Sequence, residues 1–433
     1  MPAWAGERLL SLEEALKRML ARVEPLSAED VALTAPAELL GRVASGDVTA
    51  RLSMPPWDDS AMDGFAVRAA DVVGASAGAG IQLRVIGEAA AGKPSSAELQ
   101  PGTAIRILTG APVPVGADAV VPVELTDAPR GMAGLPAEVS VHATVALGAH
   151  IRPSGSDLVA GRVVILRGTP ISPHHVAVLV AAGHATVAVH ARPRVAVLST
   201  GDELTDPGAF LGPGRIHDSS GPGIAAQVVA AGGRLVSVAR ARDHLNEVER
   251  SLRAAVAAAD VVLVTGGVSV GAHDVVKDAF ERIGEIDLWR VAIQPGKPLA
   301  FGRALRADGG TTLLFGLPGN PVSSFVTFEL FVRPVLKRFA GRRDHLARDA
   351  VAATLADDVT KSPGRRAFLR VVLEPSSDTS APIPWVARLA GGQGSHVLSA
   401  LAAADGLAVV PEDVDGLPAG SVVTVWRFDG SLR

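Results

Sequence analysis

Between Pro193 and about Gly341 the chain alternates short, almost wholly apolar runs with stretches of helical periodicity, and few architectures accept that pattern. The runs 194–199, 235–239, 261–265 and 312–315 have almost no polar face, so a strand made from any of them has to be covered on both sides. Helical spacing falls between and after them, near 221–231, 245–259, 273–283 and 321–340. Strand, helix, strand is the crossover unit, so this segment is expected to form a parallel sheet clothed by helices on both faces.

The flanks differ in texture. Ser11-Leu12-Glu13-Glu14 is a capping-box pattern, and Leu12, Ala15, Leu16, Met19, Leu20 and Val23 share one face of the helix it would start. From 50 to 150, turn signals such as Asp63-Gly64, Pro101-Gly102 and Pro114 separate short Val- and Ile-rich runs, which predicts a β-rich domain. The Gly- and Pro-rich stretch 148–190, with a short apolar helix near 174–182, is expected to return as a connector towards the first helix. After 345 helical spacing gives way to strand-like runs between Gly/Pro turns, which suggests a barrel of roughly 85 residues.

Composition narrows the chemistry. Cysteine and tyrosine are absent, which excludes disulfides, thiolate zinc sites, iron–sulfur ligation and thiol or phenol catalysis. With 41 Lys and Arg against 45 Asp and Glu, and a net charge of -4, neither a general nucleic-acid binder nor a polybasic membrane anchor is expected. The charged stretch 7–22 does not read as a signal peptide, and charges or glycines break every apolar run before it could span a bilayer, so a cytoplasmic protein is expected. Only six residues are lysine, at 17, 93, 277, 297, 337 and 361, which makes each worth placing.

Ligands of open parallel sheets bind beyond the carboxyl ends of the strands. Four such loops stand out: Thr200-Gly201-Asp202-Glu203, Arg240-Ala241-Arg242-Asp243, the glycine-rich 266–271 leading to Asp274, and Gly316-Leu317-Pro318-Gly319-Asn320-Pro321. Gly266, Gly267, Ser269 and Gly271 could bring backbone N–H groups to an anion at a helix start; the spacing is neither a Walker loop nor a dinucleotide fingerprint. Glu203, Asp243 and Asp274 would share a rim and suit a hard cation such as Mg²⁺ that also touches phosphate; Asp243 and Asp274 serve equally well as helix caps. Asn320-Pro321 is an ordinary helix start. Lys297, flanked by prolines in Gln294-Pro295-Gly296-Lys297-Pro298, is either a fixed charge for an oxyanion or a turn lysine. Asp63-Gly64 could be no more than a hairpin turn, and Thr109 and Asp157 lie in polar loops with rigid flanks. His174 and His175 would project to different sides of a helix, so a shared metal is not expected.

Six strings resemble, in order, those of the molybdopterin molybdenumtransferase (MoeA) family, whose animal relative is the E domain of gephyrin. They are Asp59-Ser60-Ala61-Met62-Asp63-Gly64-Phe65-Ala66-Val67-Arg68, Arg106-Ile107-Leu108-Thr109-Gly110-Ala111-Pro112, Ser199-Thr200-Gly201-Asp202-Glu203-Leu204, Thr265-Gly266-Gly267-Val268-Ser269-Val270-Gly271, Pro295-Gly296-Lys297-Pro298 and Gly316-Leu317-Pro318-Gly319-Asn320-Pro321-Val322-Ser323. The resemblance implies a multidomain α/β plus β fold. Its expected parts are a connector domain split between 1–50 and 146–190, a β-rich domain over 51–145, a molybdopterin-binding α/β domain over 191–342 and a C-terminal β-barrel over 345–433. It implies the last step of molybdenum cofactor synthesis, in which molybdate enters adenylylated molybdopterin and AMP is released, with Mg²⁺.

By the same resemblance the catalytic positions are Asp63, Thr109, Asp157, Glu203 and Asp274. Glu203, Asp243 and Asp274 would hold Mg²⁺ and nucleotide phosphates, the backbone at Gly266, Gly267, Ser269 and Gly271 would cradle the pterin-side phosphate, and Lys297, Ser323, Arg370 and Ser395 would hold molybdate. A homodimer with an active site shared between subunits is implied, with the adenylyltransferase of the same pathway as a possible partner; no nucleic acid or membrane partner is expected. Two positions depart from the family pattern where lysines are common, since Arg290 keeps the charge and Gln294 loses it; Phe65 stands where tyrosine is common. The rival readings are a non-catalytic scaffold and an adenylyltransferase-type enzyme using the α/β domain alone.

Overall fold

A computed structural model describes residues 9–131, 134–266, 275–378 and 380–428. Its centre is a six-stranded sheet in the order Arg234–Ala241, Arg194–Thr200, Val261–Thr265, Thr311–Leu317, Pro298–Leu305, Glu285–Arg290. The first four are parallel, as the apolar runs predict, and Pro298–Leu305 runs antiparallel to both of its neighbours, making the sheet mixed. The edge strand escapes a search for apolar runs because it carries Glu285, Asp287 and Arg290, whereas Pro298–Leu305 is largely apolar and buried and was missed. A strand with one neighbour can keep polar side chains.

Alternation along the central strands explains the double covering. Val195 and Val197 face one core, shared with Ile224 and Val228 of the helix Ser220–Ala230 and with the helical stretch that begins at Pro321. Ala196 and Leu198 face the other, against Val248 and Leu252 of the helix Leu245–Ala258 and Phe280 of the helix Val275–Ile283.

The first helix, Leu12–Leu20, has the expected capping box at Ser11 and Glu14. Its apolar face, however, meets the α/β core and not the connector: Ala15 and Met19, both 0% exposed, pack in the cluster that holds Trp289, Phe301 and Phe339. The edge strand captures it, since Leu10 N donates to Arg290 O and Ala292 N to Leu10 O. Periodicity identifies an apolar face but not the surface that covers it. The returning stretch pairs instead with residues that follow this helix, Thr186–His190 against Ala28–Ala32 and Val163–Ile165 against Val48–Thr49.

Five strands, Ala119–Pro122, Gly64–Val67, Thr103–Ile107, Ile81–Ala89 and Glu138–Val141, form the sheet of the β-rich region. At the C-terminus, Arg366–Pro375, Trp385–Leu389, Ala350–Leu355, Val422–Arg427 and Gly406–Val410 close into a barrel, because the last pairs back onto the first. Ile293–Gln294 from the α/β region adds in parallel beside Arg366 and Ala367, and Phe368 and Leu407 of the barrel enter the α/β core. The barrel is thereby fixed against the sheet edge where the strand-end loops gather. Among the described residues no helix is long and apolar enough to cross a membrane.

Candidate functional site

A two-lobed cleft lies at the carboxyl ends of the parallel strands. Its larger lobe, about 710 Å³, is walled by the turns after three strands, represented by Thr200, Gly266 and Pro318, with Glu203 and Asp243 among its lining. The smaller, about 550 Å³, runs between Lys297 and the barrel, where Arg370, Gln393 and Ser395 line it. Gly296 and Ser323 belong to both, so the lobes are continuous.

Close backbone approach shapes the larger lobe. Gly266 sits at φ +102°, and a Cβ there would run into Thr200 O. Gly296 sits at φ +107°, where a Cβ would press on Thr327 Oγ1. Beside Gly266, the hydroxyl of Thr200 is buried and has no hydrogen-bond partner among the described residues, although its residue lines the cleft. Buried polar atoms normally find partners, so this one stands out among the lining groups. Asn320 occupies the cap position of the helix Pro321–Thr327 but makes no side-chain cap; its Nδ2 donates instead to Ser395 Oγ at 3.1 Å. With Val322 N donating to Ser395 O, this bond pins the barrel loop to the helix start.

Arg370 dominates the smaller lobe. It is 1% exposed, its Nη2 donates to Gly392 O at 2.9 Å and Gly394 O at 3.1 Å, and its Nε has no partner among the described residues. Burial pushes its guanidinium below the usual arginine range, and among the described residues no carboxylate pairs with it. A buried cation held only by carbonyls is electrostatically costly until an anion arrives.

On the rim of the larger lobe, Asp243 N donates to Asp202 Oδ1 at 3.2 Å. Partial desolvation, then the charges of Asp202 and Glu203, hold the Asp243 carboxyl above its ordinary value. Among the described residues no group of three metal-ligating side chains converges. Gly267, Ser269, Gly271 and Asp274 lie outside the described residues.

Asp63 and Thr109 do not reach this cleft. Asp63 Oδ1 accepts from Thr109 N and Thr109 Oγ1, both at 2.7 Å, in a separate cavity of about 370 Å³ that Arg106 also lines. Those bonds, the backbone one first, hold the Asp63 carboxyl below its ordinary value. Asp157 lines neither cavity; its backbone N donates to Met54 O. Of the expected residues, the fold therefore brings together Glu203, Asp243, Gly266, Lys297, Ser323, Arg370 and Ser395.

Sequence reasoning passed over Thr200, Asp202, Arg365, Gln393 and His396. Thr200 and Asp202 sit inside a strand-end string already singled out, so position was the available signal. Arg365, Gln393 and His396 come from barrel loops, which no rule about parallel strands points to.

Three family models match successive parts of the chain. Residues 10–183 match the MoeA N-terminal region (domain I and II), 196–338 a probable molybdopterin binding domain, and 352–428 the MoeA C-terminal region (domain IV). A molybdopterin molybdenumtransferase 2 of Mycobacterium tuberculosis is 41% identical over 392 residues, covering 89% of this chain and 92% of the relative. The molybdopterin molybdenumtransferase of Haemophilus influenzae is 32% identical, with 98% and 100% covered. The crystal structure of a molybdopterin biosynthesis MoeA protein from Pyrococcus horikoshii superposes with a TM-score of 0.82 at 32% identity, covering 98% of this chain and all of that one.

Proposed function

Since the chain belongs to the molybdopterin molybdenumtransferase family, we propose that its two-lobed cleft is where molybdate meets adenylylated molybdopterin. The protein is an enzyme of molybdenum cofactor biosynthesis, acting at the final step, the insertion of molybdenum into molybdopterin. Relatives match along the whole chain, barrel and β-rich region included, which disfavours an adenylyltransferase built on the α/β domain alone, and they are named as molybdenumtransferases, which disfavours a bare scaffold.

The observation that carries the assignment is buried, carboxylate-free Arg370 in a lobe shared with Lys297, Ser323 and Ser395. Two cationic side chains and two hydroxyls suit a tetrahedral dianion, with arginine offering a fork and the serines single donors. In the adjoining lobe the backbone at Gly266 and the unpartnered Thr200 hydroxyl would orient the phosphates of the adenylylated pterin. As AMP leaves, charge grows on the oxygen of the breaking phosphoanhydride bond, and fixed donors already in place stabilise it without reorganising.

The rim carboxylates would suit a hard divalent cation, because desolvation first, and then the charges of Asp202 and Glu203, raise Asp243, and a cation would offset both. Glu203 and Asp243, with Asp274, would hold Mg²⁺, leaving phosphate oxygens to complete its shell. When bound it would neutralise the phosphates. Asp63, Thr109 and Asp157 would act on the cleft of a second copy, in a homodimer whose active sites are shared. A partner adenylyltransferase would supply the adenylylated substrate in the cytoplasm.

Incubation with adenylylated molybdopterin, Mg²⁺ and either molybdate or tungstate tests the reading. AMP release that requires Mg²⁺ and oxyanion is expected; its absence from correctly folded protein would refute it. Full release by Asp274→Asn at saturating substrate and Mg²⁺ would remove the metal assignment.

A further inference from the structure

A third cavity, about 430 Å³, lies away from the cleft, where the connector, the end of the helix Ser220–Ala230 and the helix Arg333–Phe339 meet. Its walls carry Arg42, Arg192, Arg333, Lys337, Arg342 and Arg348, against Asp349 alone among carboxylates. Some of that charge is spent. Arg42 pairs with Glu29, and Arg333 and Arg348 share the buried Glu329. Glu329 sits in a π-helical turn, Phe328–Val332, a rare backbone form that recurs at functional sites.

Arg192 and Arg342 are not spent. Among the described residues the Nε of Arg192 is buried with no partner, and its Nη2 reaches only Ala37 O and Glu38 O, each at 3.4 Å. Arg342 makes no side-chain hydrogen bond or ion pair among the described residues. Lys337 lies in the last turn of its helix, where a cation answers the helix dipole. That explanation does not extend to Arg192, which lies outside any helix. The rim is apolar: Leu40 is 43% exposed and Val229 59%.

We propose that this cavity is a second anion site, taking the phosphoryl group of a small phosphorylated organic molecule on Arg192 and Arg342. Guanidinium forks match phosphoryl oxygens in pairs, and the volume falls within the range of small-molecule pockets while exceeding what a bare phosphate fills. The organic part lies against Leu40 and Val229. A bound molecule bridges the connector and the α/β domain, so it is expected to stiffen their junction.

Phenyl phosphate and inorganic phosphate, titrated calorimetrically into the full chain, provide the probes. The background is Arg370→Ala, so that the oxyanion lobe of the cleft is disabled. Phenyl phosphate is expected to bind more tightly than phosphate, and Arg192→Gln or Arg342→Gln each to weaken it about tenfold or more. Absence of binding overturns the proposal, and so does binding that neither substitution alters, which places the anion in the cleft. Variants that lower Tm and leave the phenyl phosphate Kd unchanged show that the arginines only brace the helix ends, and overturn it equally. Failure here leaves the cleft assignment standing, since AMP release reads that site separately.

Discussion

Arg370 shows how one side chain acquires a role from its surroundings. Nothing in the local sequence marks it, since an arginine in a strand is usually a solvated one, yet it is 1% exposed and has no carboxylate partner among the described residues. Arg370→Met keeps most of the volume and removes the charge. It is expected to weaken molybdate binding by about tenfold to a hundredfold in calorimetry, as charge-assisted hydrogen bonds of about 1.5–3 kcal/mol are lost, while Tm holds or rises. Wild-type affinity in that variant would move the oxyanion elsewhere. Gln294 lines the same lobe, with its Oε1 accepting from Ser362 N at 3.4 Å. Gln294→Lys adds a cation to the lobe and should tighten molybdate binding; an unchanged Kd would sink that idea. Asp243 carries a pH signature. Its folded pKa is raised, so the metal-free protein gains nothing from it above its pKa and loses stability as pH rises from the ordinary value of 3.8. Asp243→Asn should therefore melt higher than wild type at neutral pH without Mg²⁺, the gap closing as pH falls below that value, and should lose any stabilisation by Mg²⁺.

At the scale of elements, legibility followed how local the determining interaction was. The four parallel strands were visible because strands buried on both faces must be apolar along their length. The edge strand Glu285–Arg290 was not, since an edge strand with charged residues looks like a loop, and its apolar neighbour Pro298–Leu305 was overlooked with it. The first helix was legible as a helix and misplaced as a neighbour. Met19→Ala tests its docking: with Met19 fully buried against the α/β core, the substitution should cost about 2–5 kcal/mol, read from denaturant unfolding. A cost near zero would mean that the helix contributes nothing by packing there. Arg366 of the barrel, bonded to both Glu412 of the barrel and Glu13 of this helix, ties the two together through charge.

At the scale of the molecule, Asp63 and Thr109 stand in their own cavity apart from the cleft. A shared dimeric site makes a sharp forecast. Asp63→Ala and Arg370→Ala proteins should each be inactive alone, and unfolded and refolded together should recover about a quarter of wild-type AMP release, since half the dimers are mixed and each has one intact site. No recovery in dimers shown to be mixed would assign Asp63 to its own chain's site or to none.

The sequence by itself determined the fold class, through apolar runs whose burial hydration physics demands, and the order of six strings, through residues close enough along the chain to be seen together. It also excluded thiol chemistry, by lacking cysteine. Only the tertiary structure decided which charges are buried and which faces meet. Asn320 and Ser395 are 75 residues apart yet hydrogen-bonded, and that contact brings a barrel loop to a helix start. Desolvation of Arg370 and repulsion at Asp243 arise from such contacts, because electrostatic cost depends on what surrounds a charge in space, and sequence separation does not record that.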